Sequence, residues 1–157
     1  MLNEEQIHAL LEETVRAETR AYYFAEQCNR FQQIQRWVTF GSLLLASAAA
    51  AAFASRIDPA FASALALLSA AASAYTISFQ NQKRAIDAAD LHSRWNQLSI
   101  EYTLLYADPS PADAEARLKA LMARAAEASK AGSVFPEDKK SMLKWQRLVH
   151  SHHGLPA

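Results

Sequence analysis

Apolar positions recur with a helical period over most of the chain, and the pattern changes character once, near the middle. Before that change Ile7, Leu11, Val15, Tyr22, Ala25 and Cys28 keep to one face of a long helix within residues 1–36. Residues 37–55 then run for 19 positions without a charge and residues 59–82 for 24 more, with Arg56 and Asp58 the charges between them. Beyond the second run Leu91, Trp95, Leu98, Tyr102 and Leu105 follow a 4-3-4-3 spacing, the seam of a helix packed on another helix. The natural partner is the N-terminal helix. The segment ADPSPADA interrupts this pattern, and Ser110 with Pro111 predicts a new helix start. The new helix carries Ala114, Leu118, Leu121, Ala125 and Ala128 at heptad spacing and stops at Gly132. Pro136 opens a last helix to about Val149, apolar at Met142, Trp145 and Val149. No strand pattern occurs, so the fold is expected to be all-α.

The two uncharged runs invite comparison with a bilayer. At 1.5 Å per residue 19 helical residues reach about 28 Å, close to the roughly 30 Å hydrocarbon core. Their hydrophobicity is modest: residues 37–55 hold six strongly apolar side chains and residues 60–79 another six, with alanine filling most of the rest. Each strong residue favours insertion by about 0.3–0.6 kcal/mol, so insertion is marginal. The leading expectation is a two-span transmembrane hairpin, residues 37–55 and 59–82, inside one domain covering residues 1–157. The alternative is a soluble bundle with an alanine-rich core. Asp58 and Pro59 suit the start of the second helix. Arg20, Arg30 and Arg36 precede the first run and Lys83, Arg84 and Arg94 follow the second, which orients both termini to the cytoplasm. Trp37 and Tyr75 sit near the edges as interfacial anchors. The flanking segments, 1–36 and 83–157, would emerge on one side and continue the packing as a helical stalk.

Two finer patterns lie inside the runs. Ser42, Ala46, Ala50 and Ala54 fall four apart, as do Ala62, Ala66, Ala70, Ala74 and Ser78, offering two small-residue ridges that could press together. Ser69, Ser73, Thr76 and Gln80 share one stripe of the second helix. That stripe either lines a conducting path between subunits or packs on the first span within its own hairpin. Trp95 and Leu98, at the centre of the seam with Leu91 and Tyr102, are expected to hold an oligomer together.

Composition narrows the function classes. Sixteen basic residues balance sixteen acidic ones, so no overall field recruits nucleic acid. The lone Cys28 supports neither an internal disulfide nor a cysteine zinc site, and as part of an apolar face it is expected to be a buried structural thiol. The N-terminus is acidic and amphipathic, unlike a cleaved leader. Three glycines make no phosphate-binding loop. His150, His152 and His153 could in principle bind a transition metal, but His150 and His153 alone share a helix face and no acidic partner is near in the sequence, so they read as a solvated, frayed tail. Glu4 and Glu5 suit a helix N-terminus. No enzyme, cofactor or metal is expected.

The segments RAETRAYYFAEQCNRFQQIQRW and FQNQKRAIDAADLHSRWNQLSIEYTLLY, on either side of an alanine/serine-rich hairpin, resemble the SLATT family of two-transmembrane proteins associated with SMODS nucleotidyltransferases and SLOG sensor domains. The resemblance covers most of the chain and is carried by Asn81, Arg84, Leu91, Trp95, Leu98 and Tyr102 together with residues 21–30. It implies an oligomeric effector of bacterial antiphage and conflict systems that perturbs the inner membrane when a linked sensor fires. These 157 residues include no nucleotidyltransferase, TIR or SLOG domain. A trigger is therefore expected from another chain, such as a signal-nucleotide synthase or sensor encoded nearby, or from a small molecule. The remaining alternative is a non-conducting, membrane-anchored interaction module.

Overall fold

The structure is a computed structural model that describes residues 2–54 and 59–155, with the side chains of residues 53, 54, 59 and 76–79 also outside the description. The described residues form five helices and no strand: α1 (Glu4–Ala54), α2 (Pro59–Phe79), α3 (Asn81–Ala107), α4 (Ala114–Gly132) and α5 (Lys139–His152). The all-α expectation therefore holds. Among the described residues no helix is long and apolar enough to cross a membrane.

Local chemistry accounts for the helix ends. Asn3 Oδ1 accepts from the Gln6 amide at 2.7 Å while Gln6 Oε1 accepts from the Asn3 amide at 2.9 Å, a reciprocal cap that opens α1. Glu4 and Glu5 occupy its first turn, where the helix dipole favours negative charge. Gln80 takes a positive φ of 45° and separates α2 from α3, so the second uncharged run bends there instead of continuing as one helix. The start expected at Ser110 falls later, at Asp113 and Ala114, because the Ser110 hydroxyl and amide both turn to the Asp108 carboxylate. The last helix likewise starts after Pro136, with Asp138 Oδ1 accepting from the Ser141 amide.

The chain divides into two units, Met1–Gln27 with Asp87–Ala157, and Cys28–Ile86. In the first, Leu91, Trp95, Leu98, Tyr102 and Leu105 of α3 are buried with Leu118, Leu121, Ala125 and Ala128 of α4. The face of α1 that joins this core is Leu10, Thr14, Ala17, Ala21 and Phe24. That is a different face from the one its sequence advertises. Thr14 belongs to it because its hydroxyl donates to the Leu10 carbonyl at 2.8 Å and so needs no outside partner. Of the expected face Ile7 packs against this core, while Leu11, Val15 and Tyr22 turn toward α5: Tyr22 stacks on Trp145 at 5.1 Å, and Leu11 and Val15 share a groove with Met142. A helix with α5 on one side and α3 and α4 on another needs two apolar faces. Cys28 is half-buried, not a core thiol.

Candidate functional site: an apolar hairpin

The second unit contains the rest of α1, α2 and the start of α3. Along α1 the least exposed positions are Val38, Ser42, Leu45, Ala49 and Ala52, and along α2 they are Ala62, Leu65, Ser69 and Ala72. Both sets step by three and four. The ridges expected at every fourth residue are not what packs: Ala46 and Ala50 on α1, and Ala66, Ala70 and Ala74 on α2, are exposed. Only Ser42 and Ala62 of those rows lie at the contact, and the placements of Ala54 and Ser78 fall outside the described side chains. The physical reason is that a step of four residues turns 40° beyond a full circle, so such a row leaves a neighbouring helix within two turns, whereas alternating threes and fours stays on it.

The large apolar side chains point the other way. Trp37, Phe40, Leu43 and Leu44 on α1 and Phe61, Leu67 and Leu68 on α2 are all exposed, Leu43 to 62% and Leu67 to 72%. In the first unit Trp95 at 1% and Tyr102 at 0% are inside. Large apolar residues are exposed there too, Ile100, Leu104, Met122, Val134, Leu143 and Leu148 among them, which is ordinary for a protein surface. In the hairpin the fully buried side chains are Ala49, Ala52 and Ala62, while Val38, Leu45 and Leu65 are half-buried and the other large apolar residues named above lie outside. A contiguous apolar exterior over a small-residue interior is the arrangement helices take in lipid, where close backbone approach substitutes for escape from water.

The four residues of the expected pore stripe have separate fates. Ser69 Oγ donates across the hairpin to the Ser42 carbonyl at 3.2 Å. Ser73 is exposed and donates to the Ser69 carbonyl at 3.0 Å, one turn back. Gln80 is exposed at the positive-φ turn. The side chain of Thr76 lies outside the described residues, as does the turn at residues 55–58. At the base of the hairpin Gln35 Oε1 and Asn81 Nδ2 are buried with no hydrogen-bond partner.

The seam residues Leu91, Trp95, Leu98 and Tyr102 lie together, inside a single chain. Trp95 and Leu98 are each 1% exposed within this chain. Arg20 covers Trp95, its guanidinium 4.6 Å from the ring centroid. Burial, reinforced by Arg16 and opposed by Glu13, lowers the pKa of Arg20. Tyr102 is pushed up to about 12, first by burial and then by Glu13.

Glu26 is the polar anchor that seats α5 on α1, and sequence periodicity gave no sign of it. Its carboxylate accepts from Ser141 Oγ at 2.8 Å, from Trp145 Nε1, and from Lys144 Nζ at 3.3 Å. Burial acts to raise the Glu26 pKa, but the hydrogen bonds from Ser141, Trp145 and Lys144 and the charge of Lys144 outweigh it and lower the pKa. The Tyr23 hydroxyl accepts from the Asp138 amide at 3.2 Å and donates to the Pro136 carbonyl at 3.4 Å, which fixes the approach to α5. Between α1 and α5 lies an open groove of about 500 Å³ lined by His8, Glu12, Arg16, Arg20, Gln146 and His150 among others. Comparison with known proteins adds no relative: no family model, curated protein or solved structure matches this chain.

Proposed function

We propose that the chain is a two-span membrane effector, anchored by the hairpin of residues 37–55 and 59–82 with both termini in the cytoplasm, that oligomerises and permeabilises the inner membrane when a partner sensor or nucleotide signal engages its helical unit. The observation that carries this reading is the inverted packing of the hairpin, with Leu43, Leu44, Leu67 and Leu68 outside and Ala49, Ala52 and Ala62 inside. Exposed to water, such a surface would aggregate; in hydrocarbon or against neighbouring hairpins it is at rest. Phe53, Ile77 and Phe79, three of the twelve strongly apolar residues of the two runs, are among the side chains outside the description. The resemblance to the SLATT family supports the effector role and the trigger from another component.

In this reading Ser73 and Thr76 line a narrow wet path, with Gln80 at its cytoplasmic end, and without a charged ring leakage is weakly selective. Ser69 contributes through the hairpin contact instead. That same contact favours a second reading, a non-conducting anchor for a docking module, since it commits part of the polar stripe within one chain. The two readings are separated by following membrane potential with a dye in cells carrying the native trigger. Ser73→Leu with Thr76→Leu is expected to insert normally and to abolish depolarisation. Depolarisation equal to wild type would remove these residues from the path, and no depolarisation by the triggered wild type would leave the anchor reading.

A further inference from the structure

The histidines that read as a solvated tail in the sequence meet an acidic partner in the fold. His152 and His153, at the end of α5, lie over Glu18 of α1, 134 and 135 residues away in the chain. His153 Nε2 is 2.7 Å from Glu18 Oε2 and His152 Nδ1 is 3.7 Å from Glu18 Oε1. One ligand atom from each of the three residues falls within 4.8 Å of the other two. Glu18 keeps only 18% of its side-chain exposure, and among the described residues no lysine or arginine pairs with it. Three donor atoms of the kind that ligate transition metals therefore converge where the end of α5 meets α1.

We propose that Glu18, His152 and His153 bind a divalent transition ion of the zinc class, clamping the C-terminal end of α5 to α1. Two imidazole nitrogens and a carboxylate oxygen are the donor set that zinc, cobalt and nickel accept and that magnesium and calcium, which take oxygen ligands, do not favour. A tetrahedral ion with bonds of about 2.0–2.1 Å spaces its ligand atoms about 3.3 Å apart, so three atoms lying within 4.8 Å of one another need move together by no more than about 1.5 Å. The exposed side of His152 leaves the fourth position to water or to a further donor. The ion also links the two ends of the helical unit, because α5 follows α4 by sequence while Glu18 belongs to α1.

The experiment uses the full chain stripped of metal with EDTA, titrated with Zn2+ by calorimetry and with Co2+ by visible absorption, with Mg2+ as the control ion. The expected results are one Zn2+ per chain, a Co2+ ligand-field band of tetrahedral intensity, a rise in melting temperature with Zn2+ and none with Mg2+. His153→Ala and Glu18→Gln should each weaken Zn2+ binding at least tenfold, and so should His152→Ala, whose exposed position leaves the fold intact. His8→Ala, at another histidine beside a glutamate, should change nothing. An absence of Zn2+ binding at micromolar concentration, or binding that the three ligand variants retain, overturns the proposal.

Discussion

At the residue scale the core of the helical unit contains two buried polar atoms, Trp95 Nε1 and the Tyr102 hydroxyl, with no hydrogen-bond partner. A buried hydroxyl that makes no bond loses its hydration without compensation, at a cost of about 1–3 kcal/mol. Tyr102→Phe removes that penalty while keeping the ring, and is expected to leave the stability of the chain unchanged or raised by about 1 kcal/mol in urea unfolding. Leu98→Ala, at 1% exposure in the same seam, removes only packing and is expected to cost about 2–5 kcal/mol. A Tyr102→Phe protein destabilised as much as Leu98→Ala would show that the hydroxyl has a partner, such as an ordered water, that stabilises the fold.

At the element scale α5 depends on the ionised form of Glu26. Because its folded pKa is lowered, its contribution is present above the ordinary carboxylate value of 4.5 and is lost as pH falls through the lower folded value. Protection of α5 amides relative to their intrinsic exchange rates is expected to fall below about pH 4.5 in the wild type, while Glu26→Gln should be less protected at neutral pH and lose that acid dependence. Equal acid sensitivity in the two proteins would place the titrating group elsewhere. The helices themselves were legible because apolar residues at 91, 95, 98, 102 and 105, and at 114, 118, 121, 125 and 128, declare one face each. The core face of α1 was not, since Thr14, Ala17 and Ala21 carry little hydrophobic signal, and the more apolar stripe at 11, 15 and 22 serves α5. Nor could the sequence reveal Glu26 or Glu18 as partners of α5, because both meet it across more than a hundred residues.

At the scale of the whole molecule the two units bury different side chains: the helical unit encloses Trp95, Leu98, Tyr102 and Leu105, whereas the fully buried residues of the hairpin helices are Ala49, Ala52 and Ala62. The uncharged runs made the hairpin legible, but the facing residues were not, because alanine-rich helices offer several rows of equal plausibility and only contact selects among them. The most direct test of the central claim is site-directed spin labelling. In a Cys28→Ser background, single cysteines at Leu43, Leu44, Leu67 and Leu68 carry a nitroxide, and relaxation by oxygen and by a water-soluble nickel chelate is read in membranes containing the protein. Lipid-facing positions are expected to show high oxygen and low nickel accessibility, while a label at Ala49 shows little of either. High nickel accessibility at the leucines would place the hairpin in water and contradict the account.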